Sequence, residues 1–94
     1  MVVKKDKQEK WYVYMLECAD GSIYTGITNN IKERVAKHNS GKGAKYTRAR
    51  LPVVLKRKWK YKDKSEAAKA EYAFKKLTRE EKLALISSKL PSLR

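Results

Sequence analysis

Glu71 has the setting that most constrains its chemistry. It stands among Ala67, Ala70, Phe74 and Leu77, apolar residues at the three- and four-residue steps of a helix face, where a solvated carboxylate is out of place. Two explanations fit: ligation of a metal ion, because hard divalent cations take carboxylate oxygen, or an ion pair with a basic neighbour. Arg34 and His38 are spaced by one helical turn, close enough to share a site. By composition alone Arg34 is a surface arginine, and a lone histidine at position 38 fits a ring packed under a sheet with one nitrogen satisfied. Tyr14 and Tyr24 lie in strand-like runs, where phenols commonly serve as core aromatics.

Charge narrows the partner. The 94 residues carry 24 Lys and Arg against 10 Asp and Glu, a formal net charge of +14 distributed from Lys4 to Arg94. So strong an excess on so small a body draws polyanions and points to nucleic acid. Cys18 is the sole cysteine and His38 the sole histidine, so the chain can close no internal disulfide and build no Cys/His zinc cluster. That usage suits a reducing, cytoplasmic setting. The opening run from Val2 to Lys10 lacks the apolar core of a signal peptide, and no stretch nears the roughly 18 to 20 apolar residues of a membrane span. The length predicts one domain over residues 10–94, preceded by a flexible basic arm over residues 1–9.

The elements that must position these residues are legible in outline. Residues 11–18 and 22–27 are β-favouring and flank Asp20-Gly21, which predicts a hairpin with Tyr12 and Tyr14 on one face and Val13 and Met15 on the other. Asn30 and Glu33 form a capping pair ahead of a helix that presents Ile31, Val35 and His38 on one side and ends at Gly41. Residues 41–48 read as a flexible basic loop, with Lys42, Lys45, Tyr46 and Arg48 available to nucleic acid. Pro52 precedes a third strand over residues 53–61. A helix capped by Asp63 or Ser65 follows, and then another begins at the capping box Thr78-Arg79-Glu80-Glu81 and carries Leu83, Leu85, Ile86 and Leu90. The expected fold is α+β, a three-stranded antiparallel or mixed sheet flanked by helices in the order β-β-α-β-α-α.

With these elements in place, the sequence resembles the GIY-YIG endonuclease superfamily. Tyr12-Val13-Tyr14 and Tyr24-Thr25-Gly26 stand where the family has its two motifs on either side of a hairpin turn, with Tyr14 and Tyr24 as the motif tyrosines. Arg34 matches the family's arginine on the first helix, and Glu71 matches its glutamate on a later one. The stretch from His38 to Arg48 is similar to that of small stand-alone bacterial members, and the resemblance covers residues 11 to about 86. Tyr12 replaces the glycine of the first motif. Ile27 stands where many members have lysine, for which Lys42 or Lys45 could substitute, and no asparagine follows Asn39, although members often have one late in the chain.

The resemblance implies a metal-dependent endonuclease that hydrolyses phosphodiester bonds in DNA, in repair or recombination. Glu71 would hold one divalent ion, Mg2+ or Mn2+. Tyr14 or Tyr24 would serve or orient a general base for water, and Arg34 would neutralise charge on the phosphoryl oxygens. Some relatives also have a histidine where His38 stands, which would bind phosphate or assist the base. Tyr46 and Tyr12 suit packing or base stacking. Without an attached sequence-reading module, selectivity for DNA structure, branched or single-stranded, is expected over selectivity for sequence. The alternative is a nucleic-acid-binding module that retains the fold without cutting; an RNA-associated protein ranks below both.

Overall fold

The computed structural model describes residues 10–87. The predicted arm and Leu90 lie outside the described residues. Strands β1 (Trp11–Glu17), β2 (Ile23–Thr28) and β3 (Val54–Tyr61) form an antiparallel sheet in the order β2-β1-β3. The helices are α1 (Ile31–Asn39), α2 (Lys45–Arg48), α3 (Lys64–Lys75) and α4 (Arg79–Ser87). The expected α+β architecture is therefore present, with α2 as an addition. Where sequence alone suggested a flexible loop over residues 41–48, residues 45–48 form a helical turn, because Thr47 is fully buried and bonds back to Ala44 O at 3.0 Å.

Because β1 is the central strand, both of its faces are covered, and its alternation separates two cores. Val13 and Met15 pack with Ile23, Trp59 and Ala67 under α3 and α4, where the Trp59 and Phe74 rings lie 4.8 Å apart. Tyr14, Leu16, Cys18 and Val53 form the other core, against Ile31 and Val35 of α1. The predicted division of the hairpin faces is thus observed. β3 serves both cores by means of a bulge: Met15 pairs with Arg57 but Leu16 pairs with Leu55, leaving Lys56 unmatched. The extra residue turns Leu55 to the Leu16 side while Trp59 stays on the Val13 side.

Local chemistry closes the elements. Asn30 Oδ1 accepts from Glu33 N–H at 3.1 Å, and Asp63 Oδ1 accepts from Glu66 N–H at 2.9 Å. Thr78 and Glu81 exchange reciprocal bonds of 3.1 and 2.9 Å, the capping box anticipated for α4. At the hairpin, Gly21 takes φ 85°, a left-handed conformation, and its carbonyl accepts two bonds from Arg79, at 3.0 and 3.1 Å.

One clamp has no local sequence signal. At the end of α1, Asn39 bonds both backbone groups of Val53, accepting at 2.8 Å and donating at 3.0 Å. It thereby fixes the entry to β3 as a neighbouring strand would. Asn39→Ala should lower the free energy of unfolding by about 1 to 3 kcal/mol, read from urea denaturation. A loss below a few tenths would show that the clamp contributes nothing.

Candidate active site

The buried end of the site is the Tyr14 phenol. β1 carries it into the core on the α1 side, 1 % exposed, and its Oη lies 2.9 Å from His38 Nε2 while Arg34 Nε donates to it at 3.3 Å. Helix α1 delivers both partners because residues one turn apart share a face. His38 is wholly buried, and its Nδ1 lies 2.8 Å from Thr47 Oγ1 on α2. Tyr24 completes the cluster from β2, its ring 5.2 Å from that of His38 and 6.3 Å from that of Tyr14.

Two glycines make this density possible. A methyl group at Gly26, which pairs with Tyr14 across the sheet, would lie 2.6 Å from the Tyr14 Oη; one at Gly43 would lie 2.5 Å from His38 Nδ1. Gly26 belongs to the second motif, whereas Gly43, Thr47 and Asn39 were not singled out by sequence reasoning. Their partners are distant in the chain or are visible only as a close approach. Arg50 was missed as well. Its guanidinium lies 4.0 Å from the Tyr46 ring centre, bonds Tyr46 O at 2.8 Å and reaches Asp20 at 3.0 Å, tying α2 to the hairpin turn.

The electrostatics follow from this burial. Desolvation, the largest effect, raises the Tyr14 pKa above that of an ordinary phenol; the bond from Arg34 opposes the rise, and the charges of Tyr24 and Glu71 add to it. Arg34 is held more firmly protonated, chiefly by its bond to Tyr14. Burial, then the charge of Arg34, lowers the His38 pKa to about 4, so its ring is neutral at pH 7.

Glu71 reaches the cluster by its field and not by a hydrogen bond. It projects from α3 with its side chain 22 % exposed and pairs with Lys75 at 3.2 Å. Both explanations offered by the sequence are therefore relevant: a basic neighbour is present, yet the carboxylate is near enough to act on Tyr14. Among the described residues no three His, Cys, Asp or Glu side chains gather as a metal cage. A single carboxylate nevertheless fits a hard divalent cation that fills its other positions with water and phosphate oxygen.

The remaining residues fall around this centre. Arg34 lines a cavity of about 260 Å3 with Thr28, Glu33 and Lys37. Tyr46 is 40 % exposed and stacks on Tyr24 with ring centres 5.9 Å apart; Lys42, Lys45 and Arg48 are exposed along the same segment. Ile27 packs against the Val13 and Met15 core, so it presents no charge to the site. No helix among the described residues is long and apolar enough to cross a membrane.

The chain is similar to known proteins in sequence and in fold. Residues 10–84 match the family model of the GIY-YIG catalytic domain. A UPF0213 protein of Streptococcus sanguinis is 52 % identical over 82 residues, which are 87 % of this chain and 94 % of that protein. One from Bacillus licheniformis is 56 % identical over 78 residues, 83 % of this chain and 80 % of its own length. Among solved structures, the solution structure of a UPF0213 protein from Bacillus halodurans is similar with a TM-score of 0.55 and 51 % identity, covering 85 % of each chain. With residues 10–84 matched to that catalytic domain, the chain belongs to the GIY-YIG family.

Proposed function

We propose that this protein is a metal-dependent endonuclease that hydrolyses phosphodiester bonds in DNA, selecting DNA structure over sequence and acting in the cytoplasm in repair or recombination. The observation that carries the reading is the convergence of Tyr14, Tyr24, Arg34 and His38 in one cluster within the field of Glu71. Family membership and the net charge of +14 support it. Glu71 would hold Mg2+ or Mn2+, which when bound supplies Lewis-acid stabilisation of the charge on the phosphate.

The chain's own residues divide the remaining work. Water adds to phosphorus, the ester P–O bond breaks, and the departing oxygen takes a proton, so no covalent enzyme intermediate forms. Arg34 offers a fixed positive charge to the phosphoryl oxygens. Tyr24, the less buried phenol, borders the groove beside β2; it would orient the attacking water and, as the phenolate, receive its proton.

Tyr14 holds the arrangement from behind. The Thr47 hydroxyl donates to Ala44 O, so its oxygen is left to accept from His38 Nδ1–H; Nε2 then accepts from the Tyr14 hydroxyl. This tautomer keeps all three short bonds. The opposite tautomer would replace the 3.0 Å bond with one from Ala44 N–H at 3.5 Å. The phenol oxygen thereby remains an acceptor for Arg34 and fixes its guanidinium.

A second reading has one observation in its favour. Lys75 occupies Glu71 and Ile27 brings no cation, which suits a module that binds nucleic acid without cutting it. Incubation with branched, nicked and single-stranded DNA in Mg2+ or Mn2+ separates the two. Wild type should cut, Arg34→Ala should cut about 100- to 1,000-fold more slowly, and Tyr24→Phe about 100-fold more slowly. Glu71→Gln should fall to background. Salt-sensitive binding without turnover would establish the second reading, and undiminished cutting by Glu71→Gln would remove Glu71 from the site.

His38 gives a prediction for pH. Its folded pKa of about 4 lies below the ordinary imidazole value of 6.5, so the unfolded chain binds the proton more readily. The stabilisation from neutral His38 is therefore complete above about pH 6.5 and is lost as pH falls through about 4. The melting temperature should drop across that interval by more in wild type than in His38→Gln. Parallel curves would contradict a buried, neutral His38.

A further inference from the structure

β2 is an edge of the sheet, so the two helical layers meet beside it without an intervening strand. A groove of about 330 Å3 lies at this seam, lined by Ile23, Tyr24, Thr25, Tyr46, Lys75 and Lys82. Tyr24 and Tyr46 come from the layer that holds Arg34, and the lysines come from α3 and α4. The groove thus borders the cluster at Tyr24 and extends from it to Lys75 and Lys82.

Its polar groups are poorly satisfied by the protein itself. Lys82 is half-buried, with no acidic partner among the described residues; burial and the charge of Lys75 both lower its pKa. Lys82 therefore lies half-buried within the field of a second ammonium group, an arrangement that an anion relieves. Thr25 is 2 % exposed, and its Oγ1 has no hydrogen-bond partner among the described residues. A buried hydroxyl with an unspent donor is costly unless a ligand uses it. Lys75 has its own partner in Glu71, and an anion in the groove would draw it away from that carboxylate.

We infer that this groove is a phosphate subsite, in which Lys75, Lys82 and the Thr25 hydroxyl hold the phosphodiester adjacent to the one placed at Arg34. The occupant is a single DNA strand that crosses the free edge of β2. A groove of this volume, with a stacked pair of tyrosine rings on one side and two lysines on the other, admits one backbone and not a duplex. The identity of that strand rests on the nuclease reading, but the binding it requires does not depend on cutting.

Fluorescence anisotropy with a short labelled oligothymidylate in EDTA measures this binding with turnover suppressed. Lys60, on the opposite edge strand, provides the control for loss of one charge. Lys82→Met should weaken binding about tenfold and lower the slope of log affinity against log salt by about 0.7, with Lys60→Met changing affinity by about twofold or less. Thr25→Val should weaken binding while raising the melting temperature, because it deletes an unpaired hydroxyl and keeps the shape. Circular dichroism checks that each variant is folded. The subsite is overturned if Lys82→Met weakens binding no more than Lys60→Met, or if Thr25→Val leaves affinity unchanged. If these effects hold in a protein that cuts no DNA, the subsite stands and the nuclease reading falls.

Discussion

The Tyr14 phenol, buried and bonded to His38 and Arg34, is the constraint around which the fold is arranged. A hydroxyl removed from water must find partners, and here they come from a helix that follows the next strand. Meeting that demand requires the hairpin to place Gly26 opposite the ring, α1 to start at Asn30 so that residues 34 and 38 face inward, and Gly43 to let the chain fold tightly over His38. Thr47 on α2 then satisfies the far side of the imidazole. Both partners of the phenol thus come from α1, neighbouring elements hold them in place, and the site is as rigid as the packing that surrounds it.

Much of this arrangement is legible in the sequence because it is written locally. Asn30, Asp63 and Thr78 cap their helices within three residues of their own positions, and the alternation of Tyr12, Val13, Tyr14 and Met15 assigns the faces of β1. The features missed depend on contacts between residues remote in sequence. Asn39 meets Val53, Thr47 meets His38, and Arg50 meets Asp20, and none has a periodicity to reveal it. The bulge at Lys56 is hidden for a similar reason. The alternation of β3 breaks at Val54-Leu55 and again at Lys56-Arg57-Lys58, but only pairing with the distant β1 shows that Lys56 is the residue left unmatched.

Glu71 shows how one residue can satisfy two physical demands. A carboxylate beside an apolar helix stripe needs a partner, and in the free protein Lys75 provides it. The pair lies within α3, one turn apart, and leaves the carboxylate near enough for its charge to reach Tyr14. The edge of β2 brings these layers together. Tyr24 and Tyr46 approach it from one side and Lys75 and Lys82 from the other. An edge strand ordinarily exposes backbone groups to unwanted pairing, and here the side chains of both layers gather along it.

The central claim is that Tyr24, Arg34 and Glu71 surround one position where a divalent ion and a phosphate meet. Paramagnetic broadening of amide resonances by Mn2+, recorded with a non-cleavable DNA strand bound, locates that position directly. The account predicts broadening centred on residues 24, 34 and 71 and abolished by Glu71→Gln. Broadening centred elsewhere, or unchanged by that substitution, would contradict it.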